Sequence, residues 1–513
     1  MTKTSFRKAL LTLCFLISTL FSVEGYYKDL FMDGGANLTS RTTLPAADTL
    51  GLQMEFLATS SSTFQNSIMV ENDDDYNGYL LYPDSSPRFR VIYTNGGSAT
   101  SHGNSLGETG RQRIRDYFGS GGCYTGSCAG AFITSISYQT SGIWTAYYHI
   151  WPGRTASTGV SGVETGHFIE PGAAILDYYD FGGDAYIDSI IHLGGCYARE
   201  TIDWPPETEV QLRYDYPGSS MDDKPSCWAY KGADTTGRLV VIGSHPEGIE
   251  SGERLDLMCA MILYALDGQG IVRVKGELAN GIPRVMDRET IDLDPDHTKI
   301  GDLQYHHFTI DLPAGASNLT VELDGETGYD FDIFLRHGDF AFLGESDIMD
   351  TTEGAVKSLY IETPASGDWF VSVKLDTTIH AVNSVDDYYY SGAMELLNGL
   401  EYTITARWDT SAVGINDNRL AEDFLLLGNS PNPFNDATAV NFSMPYSGNV
   451  RIEIYSADGR LIDRIADGAF SSGNHSVVWN GRDSAGRQCP TGIYFYTIRT
   501  NRESHTGKML MVK

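Results

Sequence analysis

The chain has 513 residues, of which 67 are acidic and 36 basic, for a formal net charge of −31. No basic surface is left to neutralise phosphates, which excludes a nucleic-acid partner and fits a solvated acidic exterior. The length predicts roughly three or four domains, and 55 glycines, 30 tyrosines and 18 prolines predict turn-rich, strand-rich structure.

Residues 1–25 read as a secretory signal peptide. Lys3, Arg7 and Lys8 precede the apolar run 9-ALLTLCFLISTLFS-22, and Val23-Glu24-Gly25 offers small residues at cleavage spacing. The run is too short for a comfortable bilayer span, and no later segment is long and apolar enough for one, so no membrane span is expected in the mature chain. The expected address is outside the cell.

Residues 26–280 mix strand-like and helix-like runs, the texture of an α/β domain. Strands are predicted at 89-FRVIYT-94, 122-GCYTGS-127, 187-IDSIIHL-193 and 239-LVVIGS-244. Helices are predicted at 105–121, opened by a capping box of Ser105 and Glu108, and at 252–266. A β-rich domain follows over 281–408, then a polar linker over 409–427. A second all-β unit, with strands spaced as in a sandwich, occupies 428–513.

Seven cysteines are present, and six remain once Cys14 leaves with the signal: Cys123, Cys128, Cys196, Cys227, Cys259 and Cys489. That number over so long a chain is not a disulfide scaffold. Cys123 and Cys259 read as core residues, and a Cys196–Cys227 bridge is open. A Cys123–Cys128 bridge would block a nucleophile, but neighbours on one strand rarely meet bridge geometry. Cys123 and Cys128 also lack a second ligand pair at metal spacing, so no metal site is assigned.

Three strand ends carry candidate chemistry. In 121-GGCYTGSCAGAF-132, a strand runs into Gly126-Ser127-Cys128-Ala129-Gly130 and then a helix predicted from 131. Glycines two residues either side of Cys128 permit a sharp elbow that projects the thiol, and the helix N-terminus favours its thiolate. In 239-LVVIGSHPEG-248 an apolar strand ends at His245-Pro246-Glu247. A nucleophilic cysteine needs an imidazole base, and the imidazole needs a carboxylate to orient it. Glu247, two residues on along an extended segment, can serve His245. The third strand, 91-VIYTNGGSA-99, ends in Gly96-Gly97, whose N–H groups are candidate oxyanion donors together with that of Ala129. Each piece has a plain alternative as an ordinary turn. The aromatic segments 144-WTAYYHIW-151 and 178-YYDFGGDAY-186 are cleft or core residues.

In this order the three pieces resemble the class I glutamine amidotransferase-like superfamily, and most nearly its biotin-protein-ligase amino-terminal-like variety. The likeness covers roughly residues 27–270 and extends to 148-YHIWPGR-154, 192-HLGGC-196 and 227-CWAYKGADTTGRLVVIGSHPE-247. It implies a flavodoxin-like layered α/β/α front domain with a nucleophile elbow, and Cys128, His245 and Glu247 as nucleophile, base and orienter. Phe132 stands where glutamine-hydrolysing members usually carry Gln or Glu, and Ala129 stands where related peptidases carry His. No nucleotide-binding G-x-x-x-x-G-K-[ST] loop accompanies the motif to consume ammonia. Free-standing hydrolysis of an amide or peptide bond, without a cofactor, is therefore the expectation. A catalytically retired binding or surface module is the alternative, and a subunit serving a separate partner enzyme a third reading.

Residues 303–408 resemble bacterial pre-peptidase carboxy-terminal domains through 308-FTIDLPAGASNLTVELDG-325, 330-DFDIFLRHG-338 and 363-TPASGDWFVSVK-374. Asp330 and Asp332 are candidate ligands there for a structural calcium. Residues 428–513 resemble the Ig-like type IX secretion sorting domains and the related FlgD-type module through 431-PNPFNDAT-438, 479-WNGRDSAGR-487 and 491-TGIYFYTIRT-500. This implies two all-β sandwiches behind the front domain, and a secretion machinery as the partner of the last one.

Overall fold

A computed structural model describes residues 28–33, 44–57, 77–201, 204–270, 272–292, 294–383, 388–410, 425–432, 434–435, 437–444, 447–456, 460–471, 473–500 and 504–512. The signal peptide and most of the 409–427 linker lie outside these residues. Residues 409–410 close one strand of the described structure, and 425–427 open another. The chain divides into two units, residues 1–411 and 412–513.

The front of the first unit holds strands β1 (Lys28–Asp33), β2 (Met54–Leu57), β3 (Phe89–Thr94), β4 (Cys123–Ser127), β5 (Thr155–Ser157), β6 (Ser161–Ile169), β7 (Tyr186–Leu193), β8 (Cys196–Ala198), β9 (Thr208–Asp215), β10 (Pro225–Tyr230) and β11 (Leu239–Ile242). Its helices are α1 (Pro45–Leu50), α2 (Ala99–Ser105), α3 (Gly107–Gly119), α4 (Ala129–Phe132) and α5 (Glu253–Leu266). Nine strands form one sheet in the order β2-β1-β3-β4-β11-β10-β9-β6-β7. The first five run parallel, and the rest are antiparallel to their neighbours.

This arrangement corrects the expectation of a flavodoxin-like layered α/β/α front domain. The described residues are 45% strand and 14% helix, and nearly half of the main sheet is antiparallel. Parallel neighbours need long crossovers, usually helical, whereas antiparallel ones do not. Residues 155–230 therefore run as strands joined by turns and short 3-10 segments, with no helical crossovers between them. α5 packs its apolar side on Val91, Cys123, Val240 and Ile242, while Ile114, Tyr117 and Phe118 of α3 pack with Ile92, Tyr124 and Val241.

The predicted helix over 105–121 is α3, Gly107–Gly119, preceded by the short α2, and Ser105 is not its cap. Leu106 occupies that position, and the Ser105 hydroxyl donates to the His102 carbonyl at 2.6 Å. Glu108 instead pairs with Arg111 at 2.8 Å. The helix predicted from 131 is the single turn α4. Among the described residues, no helix is long and apolar enough to cross a membrane.

The first unit continues through β12 (Val274–Glu277), β13 (Arg284–Met286), β14 (Tyr305–Leu312), β15 (Ala316–Gly325), β16 (Phe331–His337), β17 (Ile348–Asp350), β18 (Val356–Ile361), β19 (Gly367–Leu375), β20 (His380–Asn383), β21 (Tyr388–Ser391) and β22 (Tyr402–Thr410). Sheets β12-β14-β19-β16-β17 and β13-β22-β15-β18 enclose Phe308, Ile310, Val321, Ile333, Val371 and Ile404. Alternate residues of each strand supply this core, as in other sandwiches. Asp330 and Asp332 lie 3.7 Å from Lys357 and Lys374 respectively, so a calcium ion there would compete with two ammonium groups.

A buried ionic cluster joins front and sandwich. Asp302 pairs with Arg88 and, at 3.0 Å, with Lys28, which bonds Glu55 at 2.7 Å. Lys275 meets Asp84 at 2.6 Å nearby. Burial alone would drive these charges apart from the protein interior, and pairing is what holds them there.

The second unit contains β23 (Leu425–Ser430), β24 (Thr438–Met444), β25 (Gly448–Ser456), β26 (Leu461–Phe470), β27 (Gly473–Trp479), β28 (Gly492–Arg499) and β29 (Ser504–Met511). Its sheets, β23-β24-β27 and β26-β25-β28-β29, close over Phe442, Ile452, Ile454, Trp479, Tyr496 and Met509.

Candidate active site

β3, β4 and β11 are adjacent and parallel, with Thr94 opposite Gly126 and Ile242 opposite Ser127. Their carboxyl ends therefore open side by side, where sheets of this kind place ligands. Asn95-Gly96-Gly97, Cys128 and Ser244-His245 leave these three ends.

Cys128 sits between β4 and α4 with φ 49° and ψ −102°. A positive φ is uncommon for a residue with a side chain, and such strain collects at functional sites. The elbow is held by the Cys128 N–H donating to Ile242 O at 2.9 Å, and by close packing of glycine. A Cβ on Gly130 would lie 2.1 Å from the Thr94 carbonyl oxygen, so only glycine lets α4 approach β3 this closely.

His245 is anchored by its own N–H, which donates to Ile191 O at 2.8 Å. Its Nδ1 lies 2.8 Å from Glu247 Oε1. Burial opposes charge on this imidazole, but Cys128 and Glu247 outweigh it and raise the pKa from 6.5 to about 10. Nε2 is buried and, among the described residues, has no partner within hydrogen-bonding limits. The thiol–imidazole contact is thus loose, as catalytic hydrogen bonds often are before substrate binds.

Gly96 is buried against both groups. A Cβ there would fall 2.2 Å from His245 Cε1 and 3.3 Å from Cys128 Cβ. Gly97 is exposed with φ 139°. Ala129 opens α4, where the N–H has no acceptor within the helix. The structure thus brings Cys128, His245, Glu247 and Gly96 together, with Gly97 and Ala129 on the flanking turns.

The six described cysteines are all free thiols, so neither the Cys196–Cys227 nor the Cys123–Cys128 bridge is formed. Burial raises Cys123 and Cys259 to about 11, and pushes Cys196 and Cys227 higher. Among the described residues, no group of three or more His, Cys, Asp or Glu side chains is placed to hold a metal ion.

The sequence assigns no role to two further sets of neighbours. His192 is buried, bonded to Thr158 at 2.7 Å and to Ser244, beside His245, at 3.0 Å. Desolvation and then the His245 charge lower its pKa to about 4, so it is neutral. Asp33, His102 and Tyr148 form a second buried cluster at the end of β1. Asp33 ends an apolar strand whose carboxyl end faces the site, which was the available signal. Nothing in the sequence pairs it with residues 69 and 115 positions away.

Two family models match parts of the chain: the bacterial pre-peptidase C-terminal domain over residues 304–375 and the FlgD Ig-like domain over residues 429–504. Neither reaches residues 26–280. No curated protein matches the chain. Among solved structures, PorZ, a surface component of the type IX secretion system of Porphyromonas gingivalis, is 15% identical over 23% of this chain and 14% of its own, with TM-score 0.14. FlgD from P. aeruginosa is 26% identical over 18% of this chain and 66% of its own, with TM-score 0.13. The pre-peptidase C-terminal domain of a Bacillus anthracis collagenase is 10% identical over 27% of this chain and 100% of its own, with TM-score 0.16. The chain spans less than two thirds of the first two proteins. Behind its front domain, then, it carries a pre-peptidase C-terminal domain and a FlgD Ig-like domain.

Proposed function

We propose that residues 26–280 form a cysteine hydrolase cleaving an amide or peptide-type C–N bond, related through its Cys128, His245 and Glu247 motifs to the class I glutamine amidotransferase-like superfamily. The observation carrying this reading is the convergence of His245 and Cys128 on Gly96, where an added Cβ would fall 2.2 Å from His245 Cε1 and 3.3 Å from Cys128 Cβ. Glu247 holds the imidazole and stabilises its charged form.

The Cys128 sulfur attacks the carbonyl carbon, and the carbonyl oxygen becomes an oxyanion facing N–H groups of Gly96, Gly97 and Ala129. His245 gives its proton to the departing nitrogen as the C–N bond breaks, leaving a thioester on Cys128. Neutral His245 then takes a proton from water, whose oxygen attacks the thioester. The acid product leaves and the Cys128–imidazolium pair is restored.

The domain composition supports an exported protein: signal-like residues 1–25, the pre-peptidase match, and the FlgD Ig-like match that resembles sorting domains. We assign it to the cell surface or medium, reached by type IX secretion. Cell fractionation with and without residues 428–513 tests the route.

Alkylation of Cys128 by iodoacetamide across pH tests the site, beside His245→Ala and Glu247→Ala. Fast alkylation slowed at least tenfold by His245→Ala supports an assembled nucleophile. An inert Cys128 indifferent to both substitutions overturns the hydrolase and leaves a binding module.

A further inference from the structure

The buried cluster of Asp33, His102 and Tyr148 has no place in that mechanism, yet it stands beside the site. Asp33 Oδ2 accepts from His102 Nε2 at 2.9 Å, the Tyr148 hydroxyl at 3.1 Å and the Thr94 hydroxyl at 3.3 Å. Asp33, His102 and Tyr148 are fully buried. Apolar packing would fill the same space without desolvating a carboxylate. His102 Nδ1 is buried without a partner among the described residues, a cost that a cluster serving stability alone would avoid.

What the cluster does is grip both walls of the prospective oxyanion site. On one side, Thr94 begins the 94–98 turn and the His102 N–H donates to Ser98 O at 2.9 Å, so the turn bearing Gly96 and Gly97 is held at both ends. On the other, the Tyr148 N–H donates to Ile133 O at 2.7 Å, just beyond α4. Tyr148 packs edge-on against Tyr124, whose hydroxyl donates to Gly130 O at 3.0 Å. The walls are also joined directly by the Gly130 N–H donating to Asn95 O at 3.2 Å.

We propose that Asp33, His102 and Tyr148 are positioning residues that set the Gly96-Gly97 turn and α4 at the separation needed to receive an oxyanion. This rests on the hydrolase reading above. None of the cluster's hydrogen bonds given above reaches the thiol or the His245–Glu247 pair, so its role is stabilisation of a tetrahedral intermediate, with thiolate formation left alone.

Two reagents separate those functions. Iodoacetamide alkylates a thiolate by displacement and develops no oxyanion, whereas p-nitrophenyl acetate acylates it through a tetrahedral oxyanion. Both rates are measured on the full chain, with Cys128→Ala as background, for wild type, Asp33→Asn, His102→Gln and the milder Tyr148→Phe, alongside thermal midpoints. The expected result is a tenfold or greater loss of acylation with alkylation changed less than twofold. Equal loss of both rates, tracking a fall in thermal midpoint, reduces the cluster to a structural role and overturns the proposal. Unchanged acylation in all three variants overturns it too. A wild-type Cys128 inert to both reagents marks instead the failure of the hydrolase reading, and the proposal falls with it.

Discussion

Glu247 Oε1 meets His245 Nδ1 at 2.8 Å, which leaves Nε2 for the thiol. The folded pKa of His245, about 10, lies above its ordinary 6.5. A raised pKa contributes stability that is fully present below pH 6.5 and is lost as pH climbs through about 10. Glu247→Gln and Cys128→Ala should each move the imidazole titration downward by a unit or more, read by NMR of labelled histidine. A His245 midpoint that stays put in both variants would show that neither group sets its charge.

Gly96→Ala should disable the site while sparing the fold. The new Cβ would fall 2.2 Å from the His245 ring, so the imidazole must swing away from Cys128. The expected outcome is at least a tenfold slower alkylation of Cys128 and a thermal midpoint within a few degrees of wild type. Overpacking costs of about 1–3 kcal/mol bound the second figure.

Native alkylation followed by peptide mapping should find Cys128 modified first. Cys123, Cys196, Cys227 and Cys259 are buried thiols whose charged forms are suppressed by desolvation. Unfolding in denaturant should then make all six described cysteines reactive without reductant. Any cysteine that needs reductant first would contradict the free-thiol state.

Removing Asp302 should be severe, because Arg88 would stay buried without its counter-charge and Lys28 would keep only Glu55. Asp302→Ala is expected to cost about 3–5 kcal/mol in chemical denaturation. In the same cluster, burial works against the Glu55 charge, but His380 and Lys28 prevail and lower its pKa from 4.5 to about 2. A depressed carboxylate stabilises above its unfolded value, so stability should drain away as pH falls from 4.5 towards 2. Glu55→Gln should flatten that limb of the curve.

The strands that carry the site were legible because each is a short apolar run closed by glycine or a polar turn. The run 89–94 is β3 as predicted, and β4, β7 and β11 end within two residues of expectation. Helix α5 likewise starts beside Gly252. Local pattern misled where a tertiary partner decided the outcome. Glu108 is drawn to Arg111 and Arg115 instead of a cap, and the strands of residues 155–230 pair antiparallel with one another, so they need no helical crossovers. The Asp33–His102–Tyr148 cluster could not be read at all, since its members share no periodicity and meet only when β1 lies beside β3.

The ion cluster around Asp302 changes what kind of object the sandwich is. Elsewhere such a module can be lost, duplicated or moved between proteins, since a self-contained sandwich owes nothing to its host. Here the host has entrusted Arg88 and Lys28 to a carboxylate that the module brings. Without the sandwich, Arg88 would lose its carboxylate and Lys28 would be left with Glu55 alone. The sandwich is thereby part of the front domain's own charge balance, and the two are expected to unfold as one.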